Sequence, residues 1–352
     1  MNCCSRLQDT KASDHQDVGH GITLVLFSMA VLTVVLANIT LTRMDNRRIK
    51  PYIHSPIARV VYERLVKEQE FASIDHSKWY HVNLDAIRSA DIKAKFVQLE
   101  CDEETRNFID QSTEKSSWLG TQLWHATLRV FFGWITSKTS FNGWLNRGSM
   151  FVLSETQFQK LTGWNSNHLS ESVLDLGAGD GNVTARFSRF FRNTYVTEMS
   201  SVMQRVLTRR GYIIKDVDAW ASPNDPLRYS MIAALNLLDR CDQPVTILKN
   251  IPKKLAKGGI VLLALVLPLS QYVESNPPHY TASQIIHISG QTFEDQIDSL
   301  VKCVLVPLGY RLKSWSRLPY LCEGDLHQPY YWLHDIVLVL EHESAMHVEE
   351  ES

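Results

Sequence analysis

The sequence predicts an α/β fold in which a mostly parallel sheet carries helices on both faces, and three observations lead to this prediction. From Glu171 on, short apolar runs alternate with helical segments, as in strands joined by crossover helices. The first run leads straight into a glycine-rich turn. The last two runs are separated by about a dozen residues, too few for a crossover helix, so they should pair antiparallel. The seven strand candidates are residues 173–176, 194–197, 212–215, 229–235, 260–267, 310–316 and 331–340.

Length and composition exclude several classes of protein. The 352 residues suit one large domain with a smaller appendage. Lys plus Arg (36) nearly balance Asp plus Glu (38), so the chain lacks the basic field of a general nucleic-acid binder, and we expect no nucleic-acid partner. The six cysteines show neither CxxC spacing nor the density of a disulfide scaffold, which indicates reduced thiols. Cys3 and Cys4 are candidates for palmitoylation, the alternative being an unmodified tail.

An apolar segment near the N-terminus predicts a membrane anchor. Residues 22–41 contain no charged side chain, and a helix of this length rises about 30 Å, the thickness of a hydrocarbon core. The segment is longer than the apolar part of a cleavable signal peptide, so we expect an uncleaved single-pass helix. Arg43, Arg47, Arg48 and Lys50 follow it, which by the positive-inside rule places the rest of the chain in the cytosol. We expect the membrane to be that of the endoplasmic reticulum.

The domain organisation follows from these patterns. We expect a polar tail over residues 1–21, the transmembrane helix over 22–41, a linker and helical accessory region over 42–150, the α/β domain over 151–342 and an acidic tail over 343–352. Within the accessory region, residues 103–111 and 118–135 have helical periodicity. Residues 147–150 have the composition of a loop, and Ser154 and Gln157 form a capping box that opens a short helix.

The sharpest local pattern is the glycine-rich turn after the first strand, Asp175-Leu176-Gly177-Ala178-Gly179-Asp180-Gly181. Glycines let a backbone approach a ligand without interference from Cβ, and the N–H groups of the helix that we expect next can meet a carboxylate. A dinucleotide fingerprint needs a third glycine where this chain has Asn182, so a nicotinamide cofactor is disfavoured. Asp175, two residues before the first glycine, is typical of the corresponding loop in methyltransferases.

Residues after the next two strands make the glycine-rich turn a more specific indication of the cofactor. Glu198 ends the second strand, where a carboxylate can accept hydrogen bonds from both hydroxyls of a ribose. Asp218 and Trp220 follow the third strand, where an adenine would lie, and the alternative for them is a polar loop with one core indole. Together with the strand pattern, these residues predict S-adenosyl-L-methionine as the cofactor.

The fourth strand is followed by Asn236-Leu237-Leu238-Asp239, at the place that faces the transferred methyl group in this kind of fold. No cluster of His or Cys accompanies the carboxylate, which disfavours a metal site. The sequence has no GxSxG elbow, which disfavours a Ser-His-Asp hydrolase. The alternative is that Asn236 and Asp239 only cap the next helix.

Several strings resemble one known family, the DREV or methyltransferase-like 9 proteins, which are protein-histidine N-pros methyltransferases. The resemblance runs from about residue 114 to residue 340. It rests on EKSSWL, NRGSMF, LLDRCDQP with the preceding Asn236, LALVLP, YVE and RLPYLCEGD. Joint occurrence of these strings is highly specific.

The strand pattern is the outline of a class I methyltransferase fold, which is seven-stranded and Rossmann-like, and we expect a helical N-terminal layer and one transmembrane helix before it. The N-terminal 110 residues depart from the family pattern, so the transmembrane helix and its topology rest on hydropathy alone. The resemblance itself concerns the activity, the cofactor and the site residues. It implies that S-adenosylmethionine is bound by Asp175, Gly177, Gly179 and Glu198, and we assign Arg147, Asp218 and Trp220 to the same cofactor site. It implies that the acceptor imidazole is held by Asn236, Asp239 and Tyr331. The implied substrates are proteins with a His-x-His motif whose middle residue is small.

Other interpretations of the same residues remain open at this stage. Tyr331 could be ordinary strand packing, and residues 317–325 could be a structural turn punctuated by Pro319 and Gly324. The protein could be a membrane-anchored cofactor-binding protein without catalysis, or a methyltransferase of small His-containing dipeptides.

Overall fold

A mixed β-sheet is the centre of the computed structural model, which describes residues 56–117, 149–273, 279–325 and 328–346. Within this described part the sheet has eight strands. They are β1 (Met150–Phe151), β2 (Ser170–Leu176), β3 (Phe191–Thr197), β4 (Ile213–Lys215), β5 (Tyr229–Leu235), β6 (Leu255–Val266), β7 (Tyr310–Glu323) and β8 (Tyr330–His342). Their order across the sheet is β4-β3-β2-β5-β6-β8-β7-β1.

The strand order reverses at the centre of the sheet. β2 pairs in parallel with β3 on one side and with β5 on the other. The chain moves outward through β3 to β4, returns to β5, and then moves outward the other way to β6. This doubly wound arrangement leaves a crevice beyond the carboxyl ends of β2 and β5, where open α/β sheets bind their ligands. β8 is antiparallel to both β6 and β7, so the predicted antiparallel pairing of the last two strands is confirmed.

The α-helices of the described residues are α1 (Pro56–Ala72), α2 (Ala90–Ala94), α3 (Glu103–Ser117), α4 (Glu155–Thr162), α5 (Ser201–Arg209), α6 (Pro244–Lys254), α7 (Phe293–Ser299) and α8 (Glu343–Met346). Short 3-10 turns lie at His76–Tyr80, Leu84–Ala86, Thr184–Arg186, Ser188–Phe190 and Val306–Leu308, and a π-helical turn lies at Leu300–Leu305. The chain divides into two compact units, Met1–Ala72 and Ser73–Ser352. Helix α1 belongs to the first unit and the sheet belongs to the second.

The start of α4 shows how the sequence fixes a helix end. The Ser154 hydroxyl accepts a hydrogen bond from the Gln157 N–H at 3.0 Å, and the Gln157 side-chain oxygen accepts one from the Ser154 N–H at 2.9 Å. These bonds satisfy N–H groups that a helix start otherwise leaves without partners. Gly163, with φ of 75°, ends the helix in the left-handed conformation. The predicted capping box is therefore confirmed.

Strands β5 and β6 form a fully buried part of the core. Residues 231–234 of β5 and 260–265 of β6 are apolar and buried throughout. Central strands of a parallel sheet are covered on both faces, so their sequences are continuous apolar runs rather than alternating ones. Tyr310 at the start of β7 donates its hydroxyl to the Leu248 carbonyl of α6 at 2.6 Å, which ties this helix to the edge of the same core.

A segment before α3 is joined to β7 through Trp315. The indole N–H of this fully buried residue donates to the Ile92 carbonyl at 2.7 Å. Its backbone N–H donates to Lys95 O at 3.1 Å and its carbonyl accepts from Val97 N–H at 2.9 Å, which makes a short parallel bridge beside Phe96. These bonds explain why the chain from Ser73 onward packs as one unit with the sheet.

Two local expectations are wrong, and the alternative of a turn over residues 317–325 is excluded for most of that range. No α-helix follows the glycine loop: 3-10 turns at Thr184–Arg186 and Ser188–Phe190 lead directly into β3. β3 begins at Phe191, three residues earlier than predicted, which leaves too little chain for a helix and its turns. β7 continues to Glu323, so most of residues 317–325 are strand rather than turn. Met150, placed in a loop by its sequence, forms β1 and pairs with Cys322 at the sheet edge.

Some expectations concern residues outside the described part of the chain. They are the transmembrane segment 22–41, the helix over 118–135, Arg147, Cys3 and Cys4. Among the helices that the structure does describe, none combines the length and the apolar character needed to cross a membrane. The other predicted helix of the accessory region, 103–111, is confirmed as the first part of α3.

Candidate active site

The glycine loop after β2 has the backbone conformation that its sequence predicts. Gly177, Gly179 and Gly181 have φ of 74°, 57° and 78°, a region that residues with a Cβ rarely adopt. The N–H groups of Gly177 and Ala178 both donate to the Thr197 carbonyl at 3.0 Å. The end of β3 therefore holds the loop in place at the carboxyl edge of the sheet.

Asp175 is buried at the end of β2, directly below this loop. Its Oδ2 accepts a hydrogen bond from the Thr184 hydroxyl at 2.6 Å. Burial raises the pKa of the Asp175 carboxyl to about 7, the Thr184 bond opposes that rise, and the nearby Glu198 carboxylate adds to it. A positive charge placed beside this carboxyl would stabilise its ionised form. The amino group of a bound amino acid would supply such a charge.

Glu198 follows β3 and is bonded to the glycine loop. Its Oε2 accepts from the Gly179 N–H at 3.1 Å, and its Oε1 accepts from the Ser200 N–H at 2.7 Å. Burial raises the pKa of the Glu198 carboxyl, and these backbone donors oppose that rise. Each carboxylate oxygen can accept a second hydrogen bond. Glu198 thus retains the capacity to accept from two ribose hydroxyls.

The residues assigned to the adenine differ in their surroundings. Trp220 is buried and packs in the main hydrophobic cluster, as the core-indole alternative proposed. Asp218 is exposed, and its N–H donates to the Asp216 side chain at 2.8 Å. Arg147 lies outside the described residues. The assignment of these three residues to the cofactor stays a prediction.

Asn236 follows β5 and is held in an uncommon conformation. Its φ is 53°, in the left-handed region, and its N–H donates to the Ala264 carbonyl of β6 at 3.0 Å. Its side-chain Nδ2 lies 2.9 and 2.8 Å from the two carboxylate oxygens of Asp335 on β8. Its Oδ1 is buried and has no hydrogen-bond partner within the described part of the chain.

Asp239 lies in the same loop and is 5% exposed. Its Oδ1 is also buried and has no hydrogen-bond partner in the described ranges, while its Oδ2 lies 3.8 Å from Nε of Arg240. Burial raises the pKa of the Asp239 carboxyl, and the Arg240 guanidinium opposes that rise. Helix α6 begins at Pro244 after Gln243, so neither Asp239 nor Asn236 caps it. The capping alternative is excluded, and two buried acceptor oxygens remain available to a ligand.

β8 presents different residues on its two faces. Tyr331 and Asp335 share one face because side chains alternate along a strand. The opposite face carries Tyr330 and Trp332, whose rings lie 6.1 and 5.6 Å from the ring of Trp79. Tyr331 is 40% exposed and donates its hydroxyl to Asp325 Oδ2 at 2.9 Å. The structure thus brings Asn236 and Asp239 together near Asp335, and places Tyr331 farther out on the same strand face.

A second loop closes on the acceptor side of the site. The Tyr272 N–H donates to the Asp239 carbonyl at 2.8 Å, and the Tyr272 ring stacks on that of Tyr280 with centroids 5.1 Å apart. Both rings are exposed. The Tyr272 backbone bond joins the segment that carries this exposed tyrosine pair to the loop that carries Asp239.

Sequence reasoning missed Asp335, which is fully buried and hydrogen-bonded to Asn236. A signal for it was present, because an acidic residue inside the apolar run of β8 is costly to bury without a partner. Arg240 was also missed. Its guanidinium lies 5.9 Å from the centre of the Tyr320 ring and adjoins the Asp239 carboxylate.

These residues fit S-adenosylmethionine. The glycine loop lies at the reversal of strand order and exposes Gly177 at its crest. A Cβ on Gly179 would stand 3.3 Å from the methyl of Met150, so the position is tightly packed and suits glycine. Glu198 supplies a carboxylate after the second strand, and Asn236 and Asp239 supply unpaired acceptors beside the loop. Fold and site together define a Rossmann-like methyltransferase.

A protein-family model described as DREV methyltransferase matches residues 79–342, well over half of the chain. The protein therefore belongs to the DREV methyltransferase family, and S-adenosylmethionine is its cofactor. The suspected family resemblance is confirmed.

Solved structures that match part of this chain include the glycopeptide N-methyltransferase MtfA in complex with S-adenosyl-L-methionine. It is 13% identical, with 54% of this chain and 87% of that chain covered and a TM-score of 0.34. The YcgJ protein of Bacillus subtilis is 15% identical, with 51% and 94% covered and a TM-score of 0.35. A third structure concerns the conversion of a disulfide bond into a thioacetal group during echinomycin biosynthesis. It is 10% identical, with 55% of this chain and 82% of that chain covered and a TM-score of 0.38.

Proposed function

We propose that this protein methylates the N-pros nitrogen, Nδ1, of histidine in proteins that carry a His-x-His motif with a small middle residue. The observation that carries the proposal is a pair of buried oxygens next to the glycine loop, Oδ1 of Asn236 and Oδ1 of Asp239, that have no hydrogen-bond partner among the residues that the structure describes. Buried acceptors without partners are costly, and a ligand N–H that pairs with one of them removes that cost. The family resemblance supports histidine as the source of that N–H.

The acceptor oxygens explain how one ring nitrogen is selected. Bound S-adenosylmethionine supplies an electrophilic methyl group. A neutral imidazole has one N–H and one lone pair, so the group that accepts the N–H decides which nitrogen attacks. Asp239, helped by Asn236, accepts the Nε2–H of the substrate ring and aims the Nδ1 lone pair at the methyl. Methyl transfer needs this in-line geometry, and preorganised positioning supplies much of the rate.

The same two residues also stabilise the reacting ring. As the nitrogen–carbon bond forms, positive charge grows on the imidazole. A carboxylate already fixed in a buried site stabilises that charge without having to reorganise. Tyr331 makes a second contact that fixes the tilt of the ring. Tyr272 and Tyr280 offer flat aromatic surface to the neighbouring residues of the substrate.

The test is methyl transfer from isotope-labelled S-adenosylmethionine to a panel of acceptors. The panel contains a peptide with His-Ala-His, the same peptide with either histidine changed to Asn, a peptide with a single His, and free His-containing dipeptides. We expect transfer to the His-Ala-His peptide and a product with the methyl on Nδ1, assigned by mass spectrometry. Transfer to dipeptides alone would identify a small-molecule enzyme. Cofactor binding without transfer to any acceptor would contradict catalysis on histidine.

A further inference from the structure

We infer that Asp335 is a positioning residue that locks the Asn236 side-chain amide with its oxygen turned toward the acceptor imidazole. This inference rests on the proposed function, because it assigns a role within the same site. Asp335 lies on β8, far from Asn236 in sequence, and was singled out by no motif. The two meet only because β8 inserts beside β6 in the sheet.

The contact between the two side chains is double and buried. Both oxygens of Asp335 are within hydrogen-bonding distance of Asn236 Nδ2, at 2.9 and 2.8 Å, and Asp335 has no exposed surface. Within the described ranges, no cationic side chain forms an ion pair with Asp335. A buried carboxylate without a cation is costly. The amide of Asn236 is therefore the partner that makes this carboxylate tolerable.

The chemistry of the pair fixes the orientation of the amide. An Asn side chain is nearly symmetric in shape and can exchange its oxygen and nitrogen by a half-turn. Burial raises the pKa of the Asp335 carboxyl, and the hydrogen bonds from Asn236 oppose that rise by stabilising the ionised form. Both carboxyl oxygens lie within hydrogen-bonding distance of the same Nδ2, so they face the NH₂ side of the amide as acceptors. Since the amide is planar, its oxygen is then directed away from Asp335. That oxygen is the buried Oδ1 that has no partner.

The consequence is a site with two acceptors and no competing donor from Asn236. A half-turn of the amide would present NH₂ to the imidazole, favour the tautomer with a proton on Nδ1 and remove the attacking lone pair. The backbone of Asn236 is itself fixed, with φ of 53° and an N–H that donates to the Ala264 carbonyl. Asp335 thus acts through Asn236 on the choice of ring nitrogen.

The test compares three variants on the His-Ala-His peptide: Asp335→Asn, Asn236→Asp, and the two changes combined. In Asp335→Asn the new amide can donate to Asn236 Oδ1, so the Asn236 amide can turn. We expect kcat to fall by at least ~10-fold with cofactor Kd unchanged within about twofold. Asn236→Asp places two carboxylates against each other and should be less active still. In the combined variant the amide at 335 donates to one carboxylate oxygen at 236 and leaves the other as an acceptor, so kcat should recover to within several-fold of wild type.

A matched control is Asp298→Asn. Asp298 is a second buried carboxylate that accepts two hydrogen bonds, from the N–H groups of Arg88 at 2.6 Å and Ser89 at 3.2 Å, outside the active site. We expect this variant to lower thermal stability and leave kcat unchanged. A folded Asp335→Asn with wild-type kcat would overturn the inference.

A variant that fails to fold does not end the test. If Asp335→Asn is unfolded, the combined variant is compared with Asn236→Asp, and a folded combined variant that is no more active overturns the inference. Wild-type protein that transfers no methyl to histidine overturns the proposed function and this inference with it. Wild-type protein that is active on histidine while the Asp335 variants behave like wild type overturns this inference alone.

Discussion

The Cδ1 methyl of Leu237 lies 3.0 Å from the position that a Cβ on Gly177 would occupy. The loop after β2 and the loop after β5 are therefore in direct contact. In the proposed function one loop binds the cofactor and the other binds the acceptor, and methyl transfer requires that their ligands meet at near van der Waals distance. A side chain at this point would separate the two ligands.

We accordingly expect Gly177→Arg to abolish S-adenosylmethionine binding and to leave the fold intact. The long side chain enters the cofactor site, and a φ of 74° disfavours any residue with a Cβ. Calorimetric titration should show at least a ~100-fold loss of affinity. Gly211→Arg is the matched control, because Gly211 has a φ of 84° with open space around its Cβ position. Unchanged affinity in Gly177→Arg, or equal loss in both variants, would contradict this account of the loop.

Asp239→Asn should retain cofactor affinity and lose most of kcat, by about 10² or more. The change keeps the size of the side chain and removes the charge that stabilises the developing imidazolium. Mass-spectrometric assignment of the methylated nitrogen supplies a second readout. Methyl on Nε2 in the wild-type product, or normal turnover by the variant, would rule out this role.

Turnover should fall on the acid side of neutrality. Free histidine titrates near 6.5, and only the neutral imidazole carries the lone pair that attacks. Burial raises the pKa of Asp239, so its carboxyl also gains a proton at a higher pH than an exposed aspartate. Protonation of the substrate ring removes its lone pair, and protonation of Asp239 removes its acceptor charge, so both lower kcat/KM as pH decreases. A kcat/KM profile that stays flat down to pH 5 would disagree with both steps.

Asp175→Asn should stabilise the cofactor-free protein and impair cofactor binding. Burial raises the pKa of Asp175 to about 7 from an ordinary 3.8, so in this window the folded protein holds a proton that the unfolded chain has lost. The free energy of unfolding of the wild type therefore decreases as pH rises from 3.8 to about 7, because unfolding releases this proton. The variant should therefore melt ~2–4 °C above wild type at pH 8 and show a smaller difference at pH 5. A larger increase in melting temperature at pH 5 than at pH 8 would contradict this prediction.

We propose, from the apolar segment 22–41, that the full-length protein is anchored in a membrane with its α/β domain in the cytosol. Carbonate extraction should leave the full-length protein in the membrane pellet. Protease added to sealed microsomes should digest the domain. Release by carbonate would rule out the anchor, and protection from protease would reverse the orientation.

The fold could be predicted where burial leaves a simple pattern in the sequence. The continuous apolar run of β5 gave its bounds without error, because both faces of that strand are covered. The extension of β7 to Glu323 could not be predicted from the sequence in this way. Its outer part pairs only with β8 and the two-residue β1, and it contains Pro319, which usually marks a turn.

The site could be predicted only in part, for a similar reason. Gly177, Asp175 and Glu198 act close to their own strands, so the spacing along the chain reveals them. Asp335 meets Asn236 through the insertion of β8 between β6 and β7, a relationship between segments that no local spacing records. The unpaired oxygens of Asn236 and Asp239 likewise cannot be predicted from the sequence, because their hydrogen-bond partners depend on the folded structure.

The register of β8 limits how this family can change in length. Its residues pair with β7 from Tyr330 to His342, and alternate residues serve the active site and the aromatic contact with Trp79. A single inserted or deleted residue between Tyr331 and Asp335 would exchange the two faces and move Asp335 away from Asn236. Insertions in the connection over residues 324–329 would leave that pairing untouched. Evolution can therefore lengthen the hairpin at its tip, whereas the spacing from Tyr331 to Asp335 must be inherited without gaps.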